Sequence, residues 1–128
     1  MYRAITVDDD RWALADMRLS FDFPSFGFTL TGEYKSAEEA YACIHGDPPD
    51  LVITDICMEN KSGLELIRAC RDERAKSLFV VVSGHEEFEY AREALNQQAF
   101  YYMLKPISDR EARDVMRRAL EYCQARPD

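Results

Sequence analysis

Apolar residues alternate along the chain between short continuous runs and longer stretches with helical spacing. Ala4–Ile5–Thr6–Val7 is the first run, β-branched and brief, and it stops at Asp8–Asp9–Asp10. Leu14, Met17 and Phe21 then recur at intervals of three and four, the repeat of one helix face, until Pro24, Ser25 and Gly27 break the pattern. Phe28 to Tyr34 reads as a second strand, richer in threonine. Ser36-x-x-Glu39 is a capping box that opens a helix with Ala37, Ala40, Tyr41 and Ile44 on one face. Gly46–Asp47–Pro48–Pro49 stops that helix. Leu51–Val52–Ile53–Thr54 is a third strand ending at Asp55. After a loop from Ile56 to Lys61, a second box, Ser62-x-x-Glu65, precedes a helix carrying Leu64, Ile67 and Cys70. Leu78 to Val82 is the most apolar run and predicts a central strand, ending at Ser83–Gly84. Phe88, Ala91 and Leu95 predict a fourth helix, and Tyr101 to Leu104 a fifth strand ending at Lys105–Pro106. Ser108-x-x-Glu111 caps a last helix with Ala112, Val115, Met116, Ala119, Leu120 and Cys123 on one face.

Strands that are apolar throughout suit a parallel sheet covered on both faces. Alternation of strand and helix therefore predicts an α/β fold: a flavodoxin-like open sandwich with five parallel strands in the order 2-1-3-4-5. In such sheets ligands bind beyond the carboxyl ends of the strands, at the switch point between the first and third. The chemical residues should then sit just after strands, and they do. Asp8 and Asp9 follow the first strand, Asp55 the third, Ser83 the fourth and Lys105 the fifth.

Length and charge narrow the field. With 128 residues the chain fits one domain, and 47% hydrophobic residues can supply its core. A net charge of -8 argues against this chain gripping nucleic acid or an anionic membrane by itself. No apolar stretch approaches a membrane span, and Met1–Tyr2–Arg3 leads straight into a strand with no signal peptide. Cys43, Cys57, Cys70 and Cys123 are scattered, without zinc spacing, and read as reduced thiols in a cytoplasm.

Three carboxylates converging on one rim would repel and hold raised pKa values unless a cation joined them. Mg2+ fits an all-oxygen site that takes few protein ligands. A carboxylate can act as nucleophile toward a phosphoryl group, with the metal and a lysine neutralising charge. A hydroxyl can then hydrogen-bond the acyl phosphate.

Val7–Asp8–Asp9, Asp55 after Val52–Ile53–Thr54, Met58, Gly63, Ser83–Gly84, Tyr102 and Lys105–Pro106 together resemble the motif set of bacterial response-regulator receiver domains, across almost the whole chain. The resemblance implies that Asp55 accepts phosphate from a histidine kinase phosphohistidine. It implies Mg2+ bound by Asp9, Asp55 and the backbone carbonyl of Cys57, with Asp8 acting through a metal-bound water. Lys105 would contact Asp55 and then the phosphoryl group, Ser83 would move toward it, and Tyr102 would turn inward as the switch aromatic. The Lys105–Pro106 bond would be cis. Phosphorylation would alter the face made by the fourth helix, fifth strand and fifth helix, which would also serve a homodimer. Such a domain catalyses only its own phosphorylation and dephosphorylation and is not an enzyme in the usual sense.

Ser83–Gly84 followed by Phe88–Glu89–Tyr90–Ala91, with the loop Asp22 to Gly27, resembles receivers of AraC-type helix-turn-helix regulators. This implies an output through a DNA-binding domain in a longer parent protein. Residues 1–125 are expected to form the receiver domain, and 126–128 to begin a linker or to be its cut end. One departure is Glu59, where receivers usually carry proline; it is expected to alter loop mobility or metal affinity. Cys57 and His85 occupy the variable rim positions that influence acyl phosphate lifetime in the family.

Other readings fit these residues less well. Asp10 reads as a helix-start acid and is left out of the site. Asp8-x-Asp10 resembles the opening of haloacid-dehalogenase-like phosphatases, but Trp12 stands where those carry threonine or valine, and they run longer. A pseudo-receiver acting purely as an interaction module usually lacks an acid or the lysine, and none is lacking here.

Overall fold

The computed structural model describes residues 1–56, 63–72, 76–84 and 99–126. Its strands are β1 (Tyr2–Val7), β2 (Phe28–Tyr34), β3 (Leu51–Asp55), β4 (Leu78–Ser83) and β5 (Tyr101–Leu104). The helices are α1 (Arg11–Phe21), α2 (Ala37–Gly46), α3 (Gly63–Asp72) and a C-terminal helix, Asp109–Ala125, with a short 3-10 turn at Phe23–Phe26. All strand pairs are parallel, and the order is β2-β1-β3-β4-β5, as the alternation of elements predicts.

The helix starts obey local chemistry. Asp10 caps α1 by accepting from the Trp12 N–H at 2.9 Å, so it is a cap, as read from the sequence. Ser36 Oγ accepts from Glu39 N–H, and Ser108 Oγ accepts from Glu111 N–H. The predicted cap Ser62 and the predicted helix around Phe88, Ala91 and Leu95 lie outside the described residues.

Because β3 and β4 are buried on both faces, their side chains feed two apolar layers. On one side Ala4, Leu51, Ile53, Val80, Val82 and Met103 pack against Leu14, Met17 and Phe21 of α1 and Val115, Met116 and Ala119 of the C-terminal helix. On the other, Ile5, Val7, Val52, Phe79 and Val81 meet Ala37, Ala40 and Ile44 of α2 and Leu66, Ile67 and Cys70 of α3. The outer strands β2 and β5 are only partly buried, which is the lot of edge strands and explains threonines in the first and an exposed Leu104 in the second.

At the amino end of the sheet, Asp50 ties three segments together. Its carboxylate accepts from the Arg3 N–H at 2.8 Å and from Arg126 Nη2 at 2.6 Å, and its backbone carbonyl accepts from the Leu78 N–H. Burial pushes the Asp50 carboxyl upward, but the Arg126 and Arg3 hydrogen bonds outweigh it and hold the pKa below the usual carboxylate range. This clasp anchors the end of the C-terminal helix opposite the rim where the acids gather. It joins positions 76 residues apart, so no local pattern announces it.

Candidate functional site

Four of the five strand ends deliver the rim. Asp8 and Asp9 sit where β1 gives way to α1, Asp55 closes β3, Ser83 closes β4, and Lys105 follows β5. The β1–β3 register pairs Val7 with Thr54, which brings the residues following them, Asp8 and Asp55, side by side. Carboxylate oxygens of Asp8, Asp9 and Asp55 all lie within 4.8 Å of one another. Asp8 is 1% exposed and Asp55 7%, whereas Asp9 is open to solvent. Lys105 reaches across from β5, with Nζ 3.3 Å from Asp8 Oδ2 and 3.5 Å from Asp55 Oδ1.

Fixed N–H groups orient the two buried acids. Asp8 Oδ1 accepts from Asp10 N–H at 3.0 Å, and Asp55 Oδ1 accepts from Ile56 N–H at 2.9 Å. Burial nevertheless pushes the Asp8 carboxyl above its ordinary range, against the pull of the Asp10 N–H and Lys105 and with a further push from Asp9. For Lys105 burial works to lower the pKa, but the Asp55 and Asp8 carboxylates outweigh it and raise it. The cluster is therefore short of positive charge.

These residues fit a hard divalent cation. The donors are all oxygens, three carboxylates share one volume, and the least exposed of them is penalised for being ionised. The raised Asp8 pKa carries a sign. Asp8 supports the folded state most when protonated, near and below its unfolded value of about 3.8, and this support is lost as pH rises through the folded-state pKa. At neutral pH, above its unfolded value, buried Asp8 thus works against the metal-free fold. Asp8→Asn is expected to raise the unfolding temperature in chelator at pH 7 and to shrink the gain on adding Mg2+. Equal Mg2+ stabilisation of variant and wild type in a melting series would contradict this.

Ser83 and Tyr102, the pair expected to switch, are also brought together. Ser83 is fully buried, and its hydroxyl is hydrogen-bonded to the hydroxyl of half-buried Tyr102. The Lys105–Pro106 bond is cis, as the resemblance implies. Cys57, Met58, Glu59 and His85 lie outside the described residues. A groove of about 780 Å3 lies elsewhere, at the β2 edge by Phe23, Phe28 and Leu30.

Sequence reading passed over one participant. Thr54 Oγ1 donates to the Asp55 carbonyl at 2.9 Å, and both atoms lie against Gly63. A hydroxyl in an otherwise aliphatic strand, directly before the acid, was the available signal.

The family model described as the response regulator receiver domain matches residues 4–117. The chain belongs to this family. Among curated relatives of the receiver, the uncharacterized transcriptional regulatory protein YesN of Bacillus subtilis is 37% identical over 111 residues, 87% of this chain and 30% of that protein. The transcriptional regulatory protein HptR of Staphylococcus aureus is 25% identical over 118 residues, 92% of this chain and 46% of its own. The receiver thus spans less than half the length of these relatives. Among solved structures, the REC domain of AraT, a response regulator from Geobacillus stearothermophilus, superposes with a TM-score of 0.89 at 27% identity, covering 96% of this chain and 95% of that one. A CheY-like receiver protein from Methanospirillum hungatei shares the fold at a TM-score of 0.84, with 24% identity and 97% of each chain covered. The receiver is a signalling module of the two-component kind. No helix among its described residues is long and apolar enough to cross a membrane.

Proposed function

We propose that Asp55 accepts a phosphoryl group from the phosphohistidine of a sensor histidine kinase in an Mg2+-dependent transfer, and that this switches the domain. The observation that carries the reading is Lys105 Nζ lying between Asp8 and Asp55 in a rim of three converging carboxylates. Asp9, Asp55 and the backbone carbonyl of Cys57 would hold the Mg2+, with Asp8 acting through a metal-bound water. Bound metal supplies positive charge to the incoming phosphoryl oxygens. An Asp55 oxygen forms the new P–O bond as the P–N bond to the donor histidine breaks. Lys105 follows the charge as it spreads onto the phosphoryl oxygens.

Ser83 and Tyr102 carry the signal outward. Their hydroxyls are now bonded to each other, so a Ser83 that turns to a phosphoryl oxygen must release Tyr102. Movement of Tyr102 would then alter the β5 edge of the sheet, part of the face expected of the fourth helix, fifth strand and fifth helix. That face would control an output, in this reading a DNA-binding domain of AraC type in a longer cytoplasmic protein, or pair with a second copy. Turnover of a separate substrate plays no part.

Beryllofluoride with Mg2+ tests this. Amide NMR shifts at Ser83, Tyr102 and Lys105 are expected in wild type and not in Asp55→Asn. Identical spectra with and without the reagent would make the chain an interaction module that is not governed by phosphorylation.

A further inference from the structure

We propose that Thr54 is a positioning residue for the Asp55 carboxylate, acting through the Asp55–Ile56 peptide. This rests on the phosphoacceptor reading of Asp55 and concerns how that side chain is held.

The peptide between Asp55 and Ile56 is one rigid plane carrying the Asp55 carbonyl and the Ile56 N–H. Both ends of that plane are engaged. Thr54 Oγ1 donates to the carbonyl at 2.9 Å, and the Ile56 N–H donates at 2.9 Å to Oδ1 of Asp55 itself. The same N–H also reaches the Val82 carbonyl at 3.2 Å, which ties it to the neighbouring strand. A rotation of the plane that frees its carbonyl therefore swings away the N–H that orients the carboxylate. Thr54 is fully buried, so water cannot replace its hydroxyl.

Two features show that the bond is a built one. A buried threonine in this sheet does not find a partner by default, because Thr6, equally buried, has none for its hydroxyl among the described residues. Gly63 closes the other side. A Cβ there would fall on the Asp55 carbonyl oxygen and crowd Thr54 Oγ1, and the Gly63 N–H donates to the Ile56 carbonyl at 2.8 Å. Thr54, Ile56 and Gly63 thus clamp the plane and tie the two ends of the 57–62 segment.

The test compares Thr54→Val, which keeps the shape and deletes the hydroxyl, with Thr54→Ser, which keeps the hydroxyl and deletes the methyl. Rates of phosphorylation by acetyl phosphate at saturating Mg2+ are followed by intact mass, and the Ile56 amide resonance by NMR. Thr54→Val is expected to be about 10-fold slower, in line with the cost of a small misplacement of a reacting group, with a displaced Ile56 amide. Thr54→Ser is expected to restore both to near wild type. If valine is not tolerated, Thr54→Ala against Thr54→Ser makes the same comparison. Valine as fast as wild type, or valine and serine equally slow, would overturn the inference and leave the phosphoacceptor reading standing. Wild type that takes no phosphate would overturn both.

Discussion

Lys105→Met is expected to slow phosphoryl transfer to Asp55 by about 100-fold at saturating Mg2+, while Mg2+ affinity stays the same or rises. The two effects part because Lys105 serves different masters in the two states. In the metal-free rim its ammonium lies 3.3 Å from Asp8 and 3.5 Å from Asp55, where it offsets part of the carboxylate charge. An arriving cation competes with it for those oxygens, so deleting it leaves a more negative site. During transfer the lysine is the protein's own positive charge beside Asp55, and nothing among the described residues replaces it there. The same change should cost the metal-free protein roughly 1 kcal/mol, a modest figure because the lysine side chain is 36% exposed. Its raised pKa gives stability that is present below about 10.5 and lost only as pH climbs through the folded-state value, so the loss appears at neutral pH. Stopped-flow transfer rates, Mg2+ titration of Trp12 fluorescence and urea unfolding read the three quantities. Trp12 is the only tryptophan and lies in the first turn of the helix that follows Asp8–Asp10, which makes it a local reporter. A parallel fall in transfer rate and Mg2+ affinity would contradict this division of labour.

Gly63→Ala is expected to destabilise the domain by about 1–3 kcal/mol, the usual range for forcing a methyl into a filled space, and to slow phosphorylation with it. A Cβ at this position would fall on the backbone carbonyl oxygen of Asp55 and crowd Ile56 Cα and Thr54 Oγ1, each at 3.2 Å. Those obstacles are mostly backbone, so relief requires moving the segment that carries Asp55. Glycine is needed here for space and not for a left-handed backbone; the one glycine at positive φ among the described residues is Gly27, at 81°. Urea unfolding and acetyl phosphate kinetics on the same variant check both halves. An alanine variant as stable as wild type would show that the segment relaxes without cost.

How far the chain could be read beforehand depended on the range of the interactions. Strand order, helix faces and caps came from periodicity and neighbours a few residues apart, as in Ser108 and Glu111 or the buried set Leu14, Met17 and Phe21. The rim was legible because switch-point topology turns scattered strand ends into one place. Asp8, Asp55 and Lys105 are thus predictable neighbours although 97 residues separate the first from the last. Geometry at the scale of one hydrogen bond was not legible. Nothing in the letters says that Thr54 turns its hydroxyl to the Asp55 carbonyl, that Ser83 and Tyr102 already share a bond, or that Arg126 returns to Asp50. Burial also set apart two adjacent acids that look alike in sequence. Asp8 is enclosed and penalised as an anion, and Asp9 stands in solvent.

The most direct test is intact mass after incubation with acetyl phosphate and Mg2+. Wild type should gain the mass of a single phosphoryl group, the gain should vanish when chelator replaces Mg2+, and Asp55→Asn should gain none. An unchanged mass for wild type, or an equal gain in Asp55→Asn, would contradict the assignment of Asp55 as the phosphoacceptor.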